Sequence, residues 1–192
     1  STFQNIFGSK NGVLLDLTKV MFENQFSSAR SIVDGNFPPI YLYATETAIQ
    51  MMLTEFNENL RDIYVEAYSD GRVSEYIFEK TSTQLYKIFS SYNPQFSESD
   101  FYELEIGTAG IMRNYMAHKC DKYFTFEKKL ERFLYMSMGA YNVPNGEREA
   151  AIAFVLKLDI KKLANQIMQK LFNDLAMHFD FELNNNEFWE DK

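Results

Sequence analysis

His118, Lys119 and Cys120 stand in a row, a base, a cation and a thiol that together could make a nucleophile. A simpler reading fits the same residues: a polar helix end with a favourable cation beside its negative terminus. The rest of the chain offers no support for catalysis. The only other histidine is His178, and neither histidine follows a glutamate by three residues, so the Glu-x-x-His pairs of di-iron bundles are absent. Cys120 is the only cysteine, which excludes a zinc cluster of the usual spacing. No GxxxxGK[ST] or GxGxxG phosphate loop and no GxSxG elbow occurs. The expectation is a protein without catalytic residues, metal or cofactor.

A different chemistry is available in the opening stretch, STFQNIFGSKNGVLLDL. It reads as a short helix, a tight turn and a long helix. Phe3 and Phe7 are four apart and share a face, which leaves Thr2, Gln4 and Asn5 pointing elsewhere, all able to hydrogen-bond base edges or phosphates. Gly8 permits the turn, and Ser9 is placed as N-cap of the following helix. Lys10 then falls in a first turn, against the macrodipole preference. A nearby phosphate would account for it, with the backbone N–H groups of the helix start and the ammonium both facing the anion. An ordinary helical hairpin with its polar residues outward also fits.

The elements that must position these residues are helices. Four prolines and eight glycines punctuate the chain, and most stretches between them carry apolar residues at helical spacing, which predicts an all-α fold. From Lys10 to about Val33 one stripe runs through Leu14, Leu17 and Met21 and another through Leu15, Phe22, Phe26, Ala29 and Val33. That suits a helix bridging two packing units, and a fully buried helix as well. Gly35 is placed as a C-terminal cap and Pro38-Pro39 as the next start. Further helices are expected over PIYLYATETAIQMMLTEF, from Asn57 to Tyr68, and from Val73 to Ser91, then after caps at Ser97 and Thr125. Pro144-Asn145-Gly146 is a turn, and Glu147 and Glu149 fall in the first turn of the helix that follows. The last stripe, Ile160, Leu163, Ala164, Ile167, Met168, Leu171, Leu175 and Phe179, suits an intrachain core and a dimer contact equally.

Composition narrows the partners. The 192 residues allow one or two domains with a sizeable core. The longest uninterrupted apolar run, Ala150 to Leu156, falls far short of the ~18–20 residues that span a bilayer, so no membrane partner is expected. A lone cysteine favours a reducing, cytoplasmic setting. The net charge of −8 argues against the whole surface being a nucleic-acid footprint, yet it is unevenly spread: residues 1–30 carry Lys10, Lys19 and Arg30 against Asp16 and Glu23. Any anion contact is expected near the front.

The residues Thr2, Phe3, Phe7, Ser9, Lys10, Leu14 and Leu15 give the opening stretch a pattern that resembles the end of the helix-turn-helix in the TetR family of bacterial transcriptional regulators. Gly12 departs from the acidic residue or alanine more usual there, and the likeness covers about 15 residues. The resemblance implies that the chain begins inside the recognition helix, with a partial DNA-binding domain and linking helix over residues 1–36 and a helical regulatory, ligand-binding and dimerisation domain over 37–192. It implies double-stranded operator DNA as partner, touched by Thr2, Gln4, Asn5 and Lys10. It implies a homodimer through Phe126–Tyr141 and Asp159–Phe179, and a small-molecule effector between about Pro39 and His118. Tyr43, Thr47, Met51, Tyr86, Met112 and Tyr115 are the candidate pocket residues, and their aromatic character suits an apolar or aromatic effector. The expected function is a ligand-responsive repressor. The alternative is a helical interaction module or co-activator of the same fold that does not itself bind DNA.

Overall fold

The computed structural model describes residues 10–33, 35 and 37–179, and these form helices joined by short turns, with no strand among them. In chain order they are α1 (Lys10–Val33), α2 (Pro39–Phe56), α3 (Glu58–Ala67), α4 (Gly71–Phe89), α5 (Glu98–Ala117), α6 (Phe126–Ala140), α7 (Asn145–Val155) and α8 (Ile160–Phe179), with one 3₁₀ turn at Ser90–Tyr92.

The starts of these helices follow from short polar side chains and prolines. Pro39 sits in the first turn of α2, where its missing N–H costs nothing. Asn57 accepts from the amides of Asn59 (2.8 Å) and Leu60 (3.2 Å) to open α3, and Asp70 accepts from Arg72 and Val73, both at 3.0 Å, to open α4. At α5, Asp100 Oδ2 accepts from both the amide and the hydroxyl of Ser97, each at 2.7 Å. Thr125 opens α6, and Asp159 accepts from Lys162 N at 3.0 Å to open α8. Against the sequence expectation, α4 starts two residues early, at Gly71, because Asp70 rather than the Asp-Gly turn supplies the cap.

The centre of the molecule is α2. Its buried residues run from Ile40 to Thr54 and occupy nearly every direction around the axis, as a helix enclosed on all sides requires. It packs against each of the other seven described helices. By contrast α1 divides its contacts along its length. Leu14 and Leu15 pack on a small cluster of Ala67, Val73 and Ile77, whereas Met21 and Ala29 belong to the main core with α2 and α8. The helix thus bridges two packing units, but the division falls along its length: each of the two stripes read from the sequence contributes to both. Of the apolar positions of α8 through Leu171, Ile160, Ala164, Ile167, Met168 and Leu171 are buried within this same core and Leu163 packs on it half-buried, where α8 meets α1 and α2.

Asn93, fully buried after the 3₁₀ turn, ties two loops together. Its Nδ2 donates to the carbonyls of Phe89 (3.0 Å) and Tyr141 (2.8 Å), and its Oδ1 accepts from Asn142 Nδ2 at 2.6 Å. Asn142 itself has φ of 57°, a left-handed conformation that asparagine tolerates better than most residues. Replacing Asn93 by Ala leaves two buried carbonyls short of a donor. The expected loss is about 2–3 kcal/mol, visible as a lower urea midpoint at unchanged slope.

Candidate functional site

Helices α1 to α5, with Phe133 of α6, line a partly open cavity of about 50 Å³. A water needs roughly 10–15 Å³ and an engineered cavity of ~150 Å³ takes benzene, so the space as it stands suits a few waters, and an organic ligand of benzene's size needs its walls to part. One wall comes from α1, through Thr18, Met21, Phe22, Gln25 and Phe26. The opposite walls bring in Tyr43, Glu46, Thr47 and Gln50 from α2, Tyr64 and Tyr68 at the end of α3, and Glu105, Thr108, Ala109 and Met112 from α5.

Two carboxyls are the chemical core of this site. Glu105 is buried, and its Oε2 accepts from the Thr108 hydroxyl at 2.9 Å and from the Tyr141 hydroxyl at 3.4 Å. Burial pushes the Glu105 carboxyl up to about 8 despite those hydrogen bonds. Burial, and then the charge of Glu105, pushes Glu46 up to about 8 as well. Among the described residues no lysine, arginine or histidine lines the cavity. Buried phenols surround the pair: Tyr64 accepts a hydrogen bond from Gln25 Nε2, and Tyr68 accepts one from Gln50 Nε2 at 2.9 Å. Burial raises the phenols of Tyr43, Tyr64, Tyr68 and Tyr141 well above their ordinary value, so they stay neutral while the carboxyls titrate. The Thr47 hydroxyl is buried on this wall without a hydrogen-bond partner.

The structure brings together Tyr43, Thr47 and Met112 of the sequence candidates and leaves three outside. Helix geometry gives the reason, at about 100° per residue. Around α2 the directions of Tyr43, Glu46, Thr47 and Gln50 cluster together, while Met51 is turned about 90° from their mean and is buried in the core. On α5, Tyr115 is turned about 70° from the mean of the wall residues and packs against Phe124 (tilted) and Phe133 (edge-on), with ring centroids 6.0 Å away in each case. On α4, Tyr86 lies about 180° around from Ile77 and packs on Phe101 at the surface. Of the DNA-contact candidates, Thr2, Gln4 and Asn5 lie outside the described residues, and Lys10 is the first residue of α1.

The sequence reading missed Glu46 and Glu105. Glu46 had a signal: it is the one charged residue between positions 39 and 54, in a stretch apolar enough to be buried all round. Glu105 had none, since Glu103 two residues earlier looks the same in sequence.

The backbone of His118 and Cys120 is tied into a buried ion-pair cluster, while Lys119 is exposed. The Lys129 ammonium, fully buried, pairs with Glu55 Oε1 at 2.5 Å and donates to the His118 carbonyl. Glu55 Oε2 accepts from the Cys120 amide at 3.0 Å and lies 3.8 Å from Arg61. Burial would raise the Glu55 carboxyl, but the bonds from Lys129 and the Cys120 amide hold it below its ordinary value. Burial, with Glu55 alongside, pushes the Cys120 thiol up to about 11, the reverse of what an activated nucleophile needs. Among the described residues no group of three potential metal ligands occurs, and no helix is long and apolar enough to cross a membrane.

No family model, curated protein or solved structure matches this chain.

Proposed function

We propose that the protein is a ligand-responsive DNA-binding transcriptional regulator, a cytoplasmic repressor that leaves double-stranded operator DNA when a small molecule occupies the cavity between α1 and α5. The observation that carries this reading is the position of α1. This helix continues directly from the stretch that resembles a recognition helix and turn, and it supplies Thr18, Met21, Phe22, Gln25 and Phe26 to the cavity wall. A ligand that fits better when α1 is displaced must, by linkage, weaken whatever α1 positions at its N-terminal end.

A homodimer belongs to this reading, because two recognition helices read a two-fold operator. The apolar stripe of α8 is occupied within the chain through Leu171, so the dimer contact would draw on outward residues such as Tyr135 and Met136 of α6.

The test is fluorescence anisotropy of the intact protein against DNA from the region beside its own gene, over a range of salt. Saturable binding where scrambled DNA fails, weakening steeply with salt, is the expected result. Equal or absent binding to both DNAs rejects the regulator and favours a helical interaction module that does not touch DNA.

A further inference from the structure

Two buried carboxyls with no basic side chain beside them are an unusual lining for a pocket otherwise walled by aromatic rings. Charged groups in a low-dielectric site are normally paired, and here the partner is missing from the cavity wall. Glu46 is only 7% exposed and has no basic partner among the described lining residues, and the adjacent Thr47 hydroxyl is buried without a hydrogen-bond partner. Phe22, Phe26, Tyr43, Tyr64, Tyr68 and Phe133 bring six rings to the same cavity. Ring faces attract cations, and quaternary ammonium groups are the ligands that aromatic cages recognise best.

We infer that the cavity is a binding site for a small organic cation, an alkylammonium or quaternary ammonium group held between Glu46 and Glu105 and enclosed by the aromatic side chains of α1, α2 and α3. This rests on the effector-pocket reading above and replaces an apolar effector by a positively charged one. A hydrated inorganic ion would have no use for the rings, and an anion would meet both carboxylates. The cation takes the place that a proton holds in the empty site, so binding expels a proton.

The proton balance follows from the groups that face the carboxyls. Tyr43 on α2, Tyr64 and Tyr68 at α3, and Tyr141 after α6 are neutral phenols in the relevant range, while α1 and α4 contribute no titratable side chain to the wall. Only Glu46 and Glu105 change charge there. With both carboxyls raised to about 8, affinity for a permanently charged cation should rise up to about tenfold per pH unit below that value and level off above it.

The experiment compares tetramethylammonium, tert-butanol and pivalate, which are similar in size and differ in charge, as ligands of the intact protein. The readout is the thermal unfolding midpoint against sodium chloride at matched ionic strength, with calorimetric titration in two buffers of different ionisation enthalpy to count released protons. Tetramethylammonium alone should raise the midpoint at about pH 8.5, should lose at least tenfold in affinity by about pH 6.5, and should release close to one proton in between. Glu46→Gln with Glu105→Gln keeps the shape and removes the charge, and should abolish the effect. An equal shift from tert-butanol overturns the cation while leaving the effector pocket standing. A shift from magnesium ions but not from tetramethylammonium assigns the carboxyls to an inorganic ion and also overturns it. No shift from any of the probes overturns both the cation and the pocket, whatever the protein does with DNA.

Discussion

Lys129→Met is expected to lower the thermal midpoint by about 8–15 °C, the largest effect of any single substitution considered. The Lys129 ammonium is fully enclosed, and it joins three pieces of chain that are distant in sequence: Glu55 at the end of α2, the carbonyl of His118 at the end of α5, and its own position in the first turns of α6. Removing it leaves the Glu55 carboxylate with the Arg61 contact at 3.8 Å and the Cys120 amide, and leaves the His118 carbonyl without its donor. Breaking one side of a buried pair costs about 3–5 kcal/mol, and each kcal/mol is worth about 2–4 °C in a chain of this size. Neutralising both partners should be milder. Glu55→Gln combined with Lys129→Met is expected to recover a substantial part of the loss, as measured by calorimetry, because the uncompensated charge is then gone. A single mutant as stable as the parent would show that the clamp contributes nothing.

The second large effect is a loss of stability as pH rises. Both Glu46 and Glu105 have carboxyls raised from an ordinary 4.5 to about 8, first by burial. The folded state therefore holds protons that the unfolded state has already released. Stability is complete below about pH 4.5, falls as the pH climbs through the window to about 8, and is flat above it. Within that window each pH unit removes up to ~1.4 kcal/mol per carboxyl. Urea midpoints measured from about pH 5 to 9 should decline accordingly. In the Glu46→Gln, Glu105→Gln double variant that decline should disappear, with the variant more stable than the parent by a few kcal/mol at the alkaline end. A parent protein equally stable across the range would mean that the carboxyls ionise without penalty, and the account of the cavity would have to change with it.

Helix boundaries were the most legible part of the fold, for a local reason. Pro39, Asn57, Ser97 and Thr125 act on amides within three residues of themselves, so the sequence carries the whole cause. That α1 serves two packing units was legible in its doubled apolar pattern, but the grouping was not: Leu14 and Leu15, from different stripes, share one cluster, and Met21 and Ala29 share the other. Which side of each helix meets the cavity was not. Met51 follows the four-residue spacing and Tyr115 the three-residue spacing that mark a shared face, but each such step drifts about 40° or about 60°, and Met51, two steps from Tyr43, has turned toward the core while Tyr115, one step beyond Met112, has turned toward α6. Tyr86 failed for a different reason: aromatic bulk with a hydroxyl is equally at home on an outer face, and only tertiary packing on Phe101 fixes it there. The two carboxyls were hidden because a buried glutamate differs from an exposed one only in its surroundings.

The position of α1 in the cavity wall has a mechanical consequence. Its 24 residues span about 36 Å, with Ala29 and Val33 anchored in the core at one end and the wall residues centred near Phe22. Taken as a rigid rod pivoting at Ala29, the helix has a short arm of about 10 Å to Phe22 and a long arm of about 28 Å to Lys10. Side-chain adjustments of 1 Å at the wall thus become strokes of nearly 3 Å at Lys10, about half the rise of one helical turn. A lever of this ratio trades force for travel. A ligand small enough to fit the cavity needs to do little more than nudge Phe22 to move the far end of the helix by a distance that matters to any surface docked there.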